Sequence, residues 1–149
     1  MDIQDELRRR LKTLTFVGIT VVSSLLAYLG LAEFIRHHFR PFHGFVAVPD
    51  PQALRFVVFA LAVLSVVLIR VLRPALLRKP AGADVKTTLH RLERAALVTL
   101  VLAEVPALLG LGLFLLRGLN VDFYILLFAS LLLAFMYFPR RSNWQEWLS

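Results

Sequence analysis

The chain has 149 residues, of which 58% are hydrophobic, and its mean hydropathy is +0.72. A soluble domain uses roughly 45–50% apolar residues, so this composition predicts a membrane protein. The net charge of +7 does not indicate nucleic-acid binding, because the basic residues flank apolar runs and form no separate polar domain. Cysteine is absent, which excludes disulfides, thiolate metal sites and thiol redox chemistry.

Four apolar runs are long enough to cross a bilayer, which takes about 20 mostly apolar residues in a helix. They predict spans at about 13–35, 54–73, 95–116 and 119–138. The predicted fold class is therefore all-α: a polytopic membrane protein with four transmembrane helices in a single membrane domain, 1–149. Apolar side chains at helical spacing before the first run predict a helix that leads into it.

The connections between the spans differ in length and chemistry. Spans three and four are separated by Arg117 and Gly118 alone, which predicts a tight antiparallel hairpin. The inner loop, 74–94, is predicted to contain a short amphipathic helix that begins at the N-cap Asp84 and runs into span three. The outer loop, about 36–52, contains three prolines and should not form one continuous helix. Its three histidines are interpreted as exposed to water, with a metal site or a pH sensor as the alternative.

The basic residues are distributed unevenly between the two ends of the spans. Thirteen of the seventeen lie in the N-terminal segment, at the end of span two, in the inner loop and in the C-terminal tail. Such residues concentrate on the cytoplasmic side, so both termini are predicted to be cytoplasmic, and the excess of arginine over lysine is typical of a bacterial inner membrane. Basic and tryptophan side chains meet lipid headgroups. The residues predicted to do so are Arg8, Arg9, Arg10, Arg73, Arg78, Lys79, Arg140, Arg141, Trp144 and Trp147.

Glu104 is the one acidic residue inside the third run. It lies ten residues after Arg94, or about 15 Å along a helix, near the middle of a hydrocarbon core about 30 Å thick. An unpaired carboxylate is costly there, so we expect it to stay protonated or to meet donors on neighbouring helices. Asp122, near the boundary of span four, is interpreted as a helix cap or a solvated group. Groups predicted to support Glu104 are Pro106, which frees a backbone carbonyl, and four hydroxyls. Ser23, Ser24 and Ser130 lie at a depth similar to that of Glu104, and Ser65 lies somewhat nearer the cytoplasm, which predicts a polar layer at this height.

Small residues recur along the third run and form a stripe beside Glu104. Such stripes allow two helices to approach closely. They predict a helix interface at Ala96, Ala103, Ala107 and Gly110. Glu104 should therefore face protein, either another span of the chain or another subunit.

Residues 103–111, AEVPALLGL, resemble the carboxylate helix of the c subunit of rotary ATP synthases, in which Glu or Asp is followed by a small residue and then by Gly-Leu. The order of a span, a basic loop and a span with a central acid is also similar. The resemblance implies that Glu104 binds a transported proton or sodium ion. Span two, RFVVFALAVLSVVLIR, has no glycine, so the ring packing of that family is not implied.

Two functions from different classes remain open. The first is an oligomeric membrane protein in which Glu104 binds or conducts protons or cations. The second is a non-catalytic assembly or accessory subunit of a larger membrane complex, in which the acid and the small-residue stripe pack against a partner helix. No catalytic residue, cofactor or metal is predicted, because no nucleophile elbow, phosphate-binding glycine loop or catalytic carboxylate pair occurs. The predicted partners are the lipid bilayer and either a second copy of the chain or another membrane protein.

Overall fold

The computed structural model describes residues 2–47, 49–78 and 81–148, and for residues 143 and 146–148 it describes the backbone alone. The described chain is all-α, as predicted. Its elements in chain order are α1 (Ile3–His38), α2 (Pro51–Leu77), α3 (Val85–Arg117), α4 (Asn120–Met136) and the short α5 (Arg141–Leu148).

Three of these helices, α1, α2 and α3, are long and apolar enough to cross a membrane. The fourth apolar run forms a shorter helix, since α4 has 17 residues. At 1.5 Å per residue, α4 is about 26 Å long, slightly less than the thickness of about 30 Å of a hydrocarbon core. The prediction of membrane helices is thus confirmed for three helices.

The hairpin of α3 and α4 lies at the centre of the bundle, with α1 and α2 packed against it. Helix α1 contacts both members of the hairpin, and its buried Leu25 shares a core cluster with Leu100 of α3 and Phe123 of α4. Helix α2 packs chiefly on α3. Its buried residues form one narrow stripe, Val58, Ala62, Ser65 and Ile69. Spacings of three and four residues keep this stripe on a single face, so most of α2 faces outward.

Local sequence explains where several helices begin and end. Asp84 caps α3, because its carboxylate accepts the N–H of Val85 at 2.7 Å, and this predicted cap is confirmed. Asp50 caps α2 in the same way and accepts two backbone N–H groups at 3.1 Å. Gly118 ends α3 with a φ of +70°, which glycine adopts without strain. The predicted tight hairpin is therefore present.

The inner loop is shorter than predicted. Helix α2 continues through Pro74 to Leu77, and α3 already begins at Val85, so the amphipathic helix predicted inside the loop is the first part of α3. Proline removes one N–H donor and normally disturbs a helix. At Pro74 only the last turn follows, and it remains helical.

The outer loop folds back onto the end of α3. The N–H of Phe45 donates to the carbonyl of Leu115 at 2.8 Å, one of the carbonyls that a helix end leaves unpaired. Gly44 has a φ of +95°, and a Cβ there would overlap the carbonyl oxygen of Leu116. Only glycine permits this approach. The loop therefore closes the end of the bundle that carries the α3–α4 turn, called the hairpin end below.

The basic segments gather at the opposite end of the bundle, called the basic end below. Leu7 of α1, Leu89 of α3 and Trp144 of the tail share a core cluster there. Arg10 of α1 donates to Glu93 of α3 at 2.5 Å. The N-terminal segment, the inner loop and the tail therefore lie together, as the charge distribution predicts.

Candidate functional site

Glu104 is hydrogen-bonded to a tyrosine of the first helix. The hydroxyl of Tyr28, on α1, donates to Oε1 of Glu104, on α3, at 2.5 Å. Both residues are half-buried. The sequence predicts that Glu104 faces either another span or another subunit. In the structure it faces another helix of the same chain.

Glu104 lies at the edge of the buried face of α3. Ala103 and Ala107, which lie on the core side of the helix, are fully buried. Val101 and Leu108, which lie on the other side, are 61% and 47% exposed. The carboxylate therefore sits at the seam between the α1–α3 contact and the outer surface of the bundle, which lipid would cover in a membrane.

Tyr28 is the partner that the sequence reasoning missed. It lies about four residues beyond Ser24 in α1, which is deeper than the serines chosen for their equal depth with Glu104. Side chains in a helix lean towards its N-terminus, so the long phenol of Tyr28 carries its hydroxyl back towards the level of Glu104. A comparison of depth that includes the length of each side chain, and not the position of its Cα alone, indicates Tyr28 as a partner of Glu104.

One turn beyond Glu104, the backbone of α3 is bonded to α4. The N–H of Ala107 donates to the hydroxyl of Ser130 at 2.8 Å, and both residues are fully buried. Pro106, directly before Ala107, is also buried and has no N–H for the carbonyl of Leu102. Ser130 thus contacts α3 directly after the proline, where the helix lacks one backbone hydrogen bond.

The structure does not bring the other three predicted serines to Glu104. The hydroxyl of Ser65 donates to the carbonyl of Ala62 at 2.7 Å, and that of Ser24 to the carbonyl of Thr20 at 3.0 Å. Both bonds stay within one helix, a common way to satisfy a helical serine. Ser23 is exposed. Equal depth therefore does not make a polar layer, because the rotation of each helix about its axis decides which hydroxyls meet.

The small-residue stripe is covered by helices of the same chain. Ala96, Ala103 and Ala107 lie in core clusters with side chains of the neighbouring helices. A Cβ at Gly110 would lie 2.9 Å from Cβ of Leu126 on α4. The stripe thus sets the close approach of α3 to its neighbours within the chain and does not offer a face to another subunit.

Two other carboxylates within the helices are paired with arginine. Asp122 is 3% exposed and makes two bonds with the guanidinium of Arg55 on α2, at 2.8 and 2.9 Å. Its interpretation as a cap or a solvated group is therefore wrong, because a basic residue on another helix lies within reach. Glu33 of α1 accepts from Arg36 at 2.9 Å and also from the hydroxyl of Tyr124 on α4.

Five of the residues predicted to contact lipid headgroups are exposed. They are Arg8, Arg9, Arg78, Arg140 and Arg141. Lys79 and the side chain of Trp147 lie outside the part of the chain that the structure describes. The five exposed arginines belong to segments at the basic end, where headgroups would lie.

Three further residues predicted to contact headgroups are engaged inside the bundle. Arg10 is half-buried and bonded to Glu93. Arg73 lies over the ring of Tyr137, with 4.8 Å between the guanidinium carbon and the ring centre. Trp144 is 5% exposed and packs in the core cluster of the basic end. Each has found a partner on another helix, which the sequence pattern did not indicate.

Comparisons of the chain with protein-family models, with curated proteins and with solved structures find no match. The resemblance to the ATP synthase c subunit therefore rests on the pattern of residues 103–111 and on the order of the spans.

Proposed function

We propose that this chain is a small integral membrane protein in which Glu104 binds a proton or a cation. The observation that carries the proposal is that, among the residues that the structure describes, Glu104 is bonded to Tyr28 and to no basic residue. A phenol supplies a hydrogen bond but no positive charge, and an uncompensated charge in hydrocarbon is costly. The carboxylate therefore needs a proton or a bound cation to remain at this depth.

The other acids of the apolar helices provide the contrast. Asp122 is balanced by Arg55, and Glu33 by Arg36, so both can stay ionised without a bound ion. Glu104 differs, because the partner found for it carries no charge. This difference makes Glu104, among these three acids, the one suited to take up and release a positive charge.

The edge position of Glu104 supports exchange. A fully buried acid would require the helices to separate before it could release its proton. Glu104 is half-buried beside the outward-facing Val101 and Leu108. Rotation of the Tyr28 side chain away from the seam would expose the carboxylate while the helices remain packed.

In the proposed arrangement α4 is the fourth span, and both termini lie in the cytoplasm of a bacterial inner membrane. The basic end carries most of the arginine and lysine, which the positive-inside rule assigns to the cytoplasm. Under this proposal the protein is not an enzyme, and it works as an oligomer or with another membrane protein in the lipid bilayer.

Carbodiimide labelling in proteoliposomes, read by intact-protein mass spectrometry, tests the protonatable site. Carbodiimides react with protonated carboxyl groups in apolar surroundings, so Glu104 should be labelled and Glu33, which is paired with Arg36, should not. Glu104→Gln should abolish the labelling, and Glu33→Gln should leave it unchanged. Tyr28→Phe keeps the ring but removes the hydroxyl, so Glu104 should be labelled faster. Protection by sodium at constant pH would identify a cation site.

Flux measurements test whether the site conducts. Proton or sodium flux into the same proteoliposomes should fall to the level of empty vesicles in Glu104→Gln. The control is Glu33→Gln, which removes an acid at the hairpin end and should retain the flux. Unchanged flux together with unchanged labelling in Glu104→Gln would contradict the proposal.

The second candidate function, an assembly or accessory subunit, is favoured by the outward face of α2. Large apolar side chains on that face, such as Phe56, Val63 and Val71, are 60–74% exposed. A partner helix would remove these side chains from water to the same extent as lipid does. Native mass spectrometry distinguishes the candidates. An oligomer or bound partner that is lost in Ala60→Trp, with no effect of Glu104→Gln, supports the second. A monomer with flux that depends on Glu104 supports the first.

A further inference from the structure

A groove of about 550 Å³ opens at the basic end between α1 and the segment that follows α4. Three basic side chains line one part of it: Arg8 and Lys12 of α1, and Arg141 of the tail. Phe16 and Ile19 line the other part, and both are more than half exposed. The groove is therefore positively charged at one end and apolar at the other.

The helical repeat of α1 explains this polarity. Lining residues recur at spacings of three and four from Arg8 to Ile19, which places them on one face of the helix. The separation of eleven positions between Arg8 and Ile19 corresponds to about 16 Å along the axis. Thr15 lies between the basic and the apolar parts and adds a hydroxyl to the lining. The lining of the groove thus changes from basic to apolar side chains in the direction that leads towards the membrane interior.

The end of α4 supplies the second wall. A Cβ at Gly18 would lie 2.7 Å from the ring of Phe138, so α1 and the end of α4 approach closely. Pro139 follows directly, is buried and lines the groove. The chain then leaves the α4 axis and begins α5 at Arg141. The close approach at Gly18 therefore brings the Arg141 side chain to the same groove as Arg8.

We propose that this groove binds one molecule of an anionic phospholipid. Its phosphate would be bonded by Arg8, Lys12 and Arg141, and one acyl chain would lie along Phe16 and Ile19. Among the described residues, those that line the groove include no acidic side chain, so the charge of the groove complements a phosphate. Guanidinium groups bond phosphate oxygens in pairs. The apolar part of the groove selects a lipid over free phosphate.

This site differs from general attraction between a basic protein and an anionic membrane. Arg9 and Arg140 are each adjacent in sequence to a groove residue and are exposed, but they do not line the groove. General attraction would depend on all these arginines alike. A discrete site would depend on Arg8 and Arg141 and would be nearly indifferent to Arg9 and Arg140. The chain thus contains its own matched control.

Native mass spectrometry of the full chain in mild detergent tests the site. With phosphatidylglycerol we expect one lipid to stay bound, and with phosphatidylcholine of the same acyl chains none. The double variant Arg8→Gln/Arg141→Gln should weaken phosphatidylglycerol binding about tenfold or more, while Arg9→Gln/Arg140→Gln should change it less than twofold. Equal losses in the two double variants would overturn the proposal in favour of general attraction.

The apolar half of the groove has a separate test. Ile19→Trp should fill it and weaken phosphatidylglycerol binding, although the net charge is unchanged. Glycerol phosphate, which has the headgroup chemistry but no acyl chains, should not displace the lipid. Displacement by glycerol phosphate at equal concentration would overturn the assignment to a lipid and indicate a site for free phosphates.

Discussion

Arg55→Gln should destabilise the protein more than Asp122→Asn, although the two side chains form the same ion pair. The pair is asymmetric, because the Asp122 side chain is 4% exposed and the Arg55 side chain is 47% exposed. Loss of the guanidinium leaves a buried carboxylate without a countercharge. Loss of the carboxylate charge leaves a guanidinium that can turn towards solvent or headgroups.

The magnitudes follow from this difference in burial. Breaking a buried ion pair by removing one partner costs about 3–5 kcal/mol, and the exposure of Arg55 places Arg55→Gln at the lower limit, about 3 kcal/mol. Asp122→Asn keeps the shape and a carbonyl acceptor, so we expect about 1 kcal/mol, the net value of one hydrogen bond. The double variant removes both charges and should therefore be more stable than Arg55→Gln alone.

Unfolding in mixed micelles with increasing denaturing detergent would measure these differences. Trp144 is buried at the basic end, far from the ion pair at the hairpin end, so its fluorescence in a Trp147→Phe background reports the loss of the whole bundle. Helix content measured by circular dichroism should change at the same detergent fraction if unfolding is two-state. The reasoning is refuted if Asp122→Asn proves the more harmful change, or if the double variant is the least stable.

Three further changes follow from close contacts. Gly110→Ala should be less stable than Gly112→Ala by about 1–3 kcal/mol, because a Cβ at Gly110 meets α4 at 2.9 Å while one at Gly112 meets nothing within 4 Å. Thermal unfolding in detergent compares the two variants, and equal stability would contradict the packing. Gly44→Ala should release the outer loop from the end of α3, seen as faster limited proteolysis of that loop, and an unchanged cleavage rate would argue against the docking. Ser130→Ala should cost about 1–2 kcal/mol because it removes the acceptor of a buried backbone N–H, whereas Ser65→Ala, whose hydroxyl only donates within its own helix, should cost less in the same unfolding assay.

The helical layout could be predicted from the sequence because it depends on local signals. Asp84 precedes an amphipathic run and caps α3, and Gly118 separates two apolar runs and ends the same helix. Hydropathy indicated the long apolar helices, and the distribution of arginine and lysine indicated which segments share an end. Pro74 was the exception, since a proline close to the end of a helix need not end it.

The partners of individual side chains could not be predicted, because they depend on how each helix is rotated about its axis. Sequence gives the depth of Glu104 but not its direction, so serines at equal depth were chosen and Tyr28 was missed. The same limit applies to Asp122, whose partner Arg55 lies 67 positions earlier in the chain. Trp144 was assigned to lipid headgroups because tryptophan prefers the membrane interface. In the structure its side chain is buried in the core cluster of the basic end.

The length of α3 has a mechanical consequence. Its 33 residues extend about 50 Å, whereas a hydrocarbon core is about 30 Å thick. With the hairpin end held at one interface, the first turns of α3 would project from the other, joined to α1 by the Arg10–Glu93 ion pair. Since α3 is one continuous helix through Glu104, a force applied to the projecting turns would be transmitted along the helix.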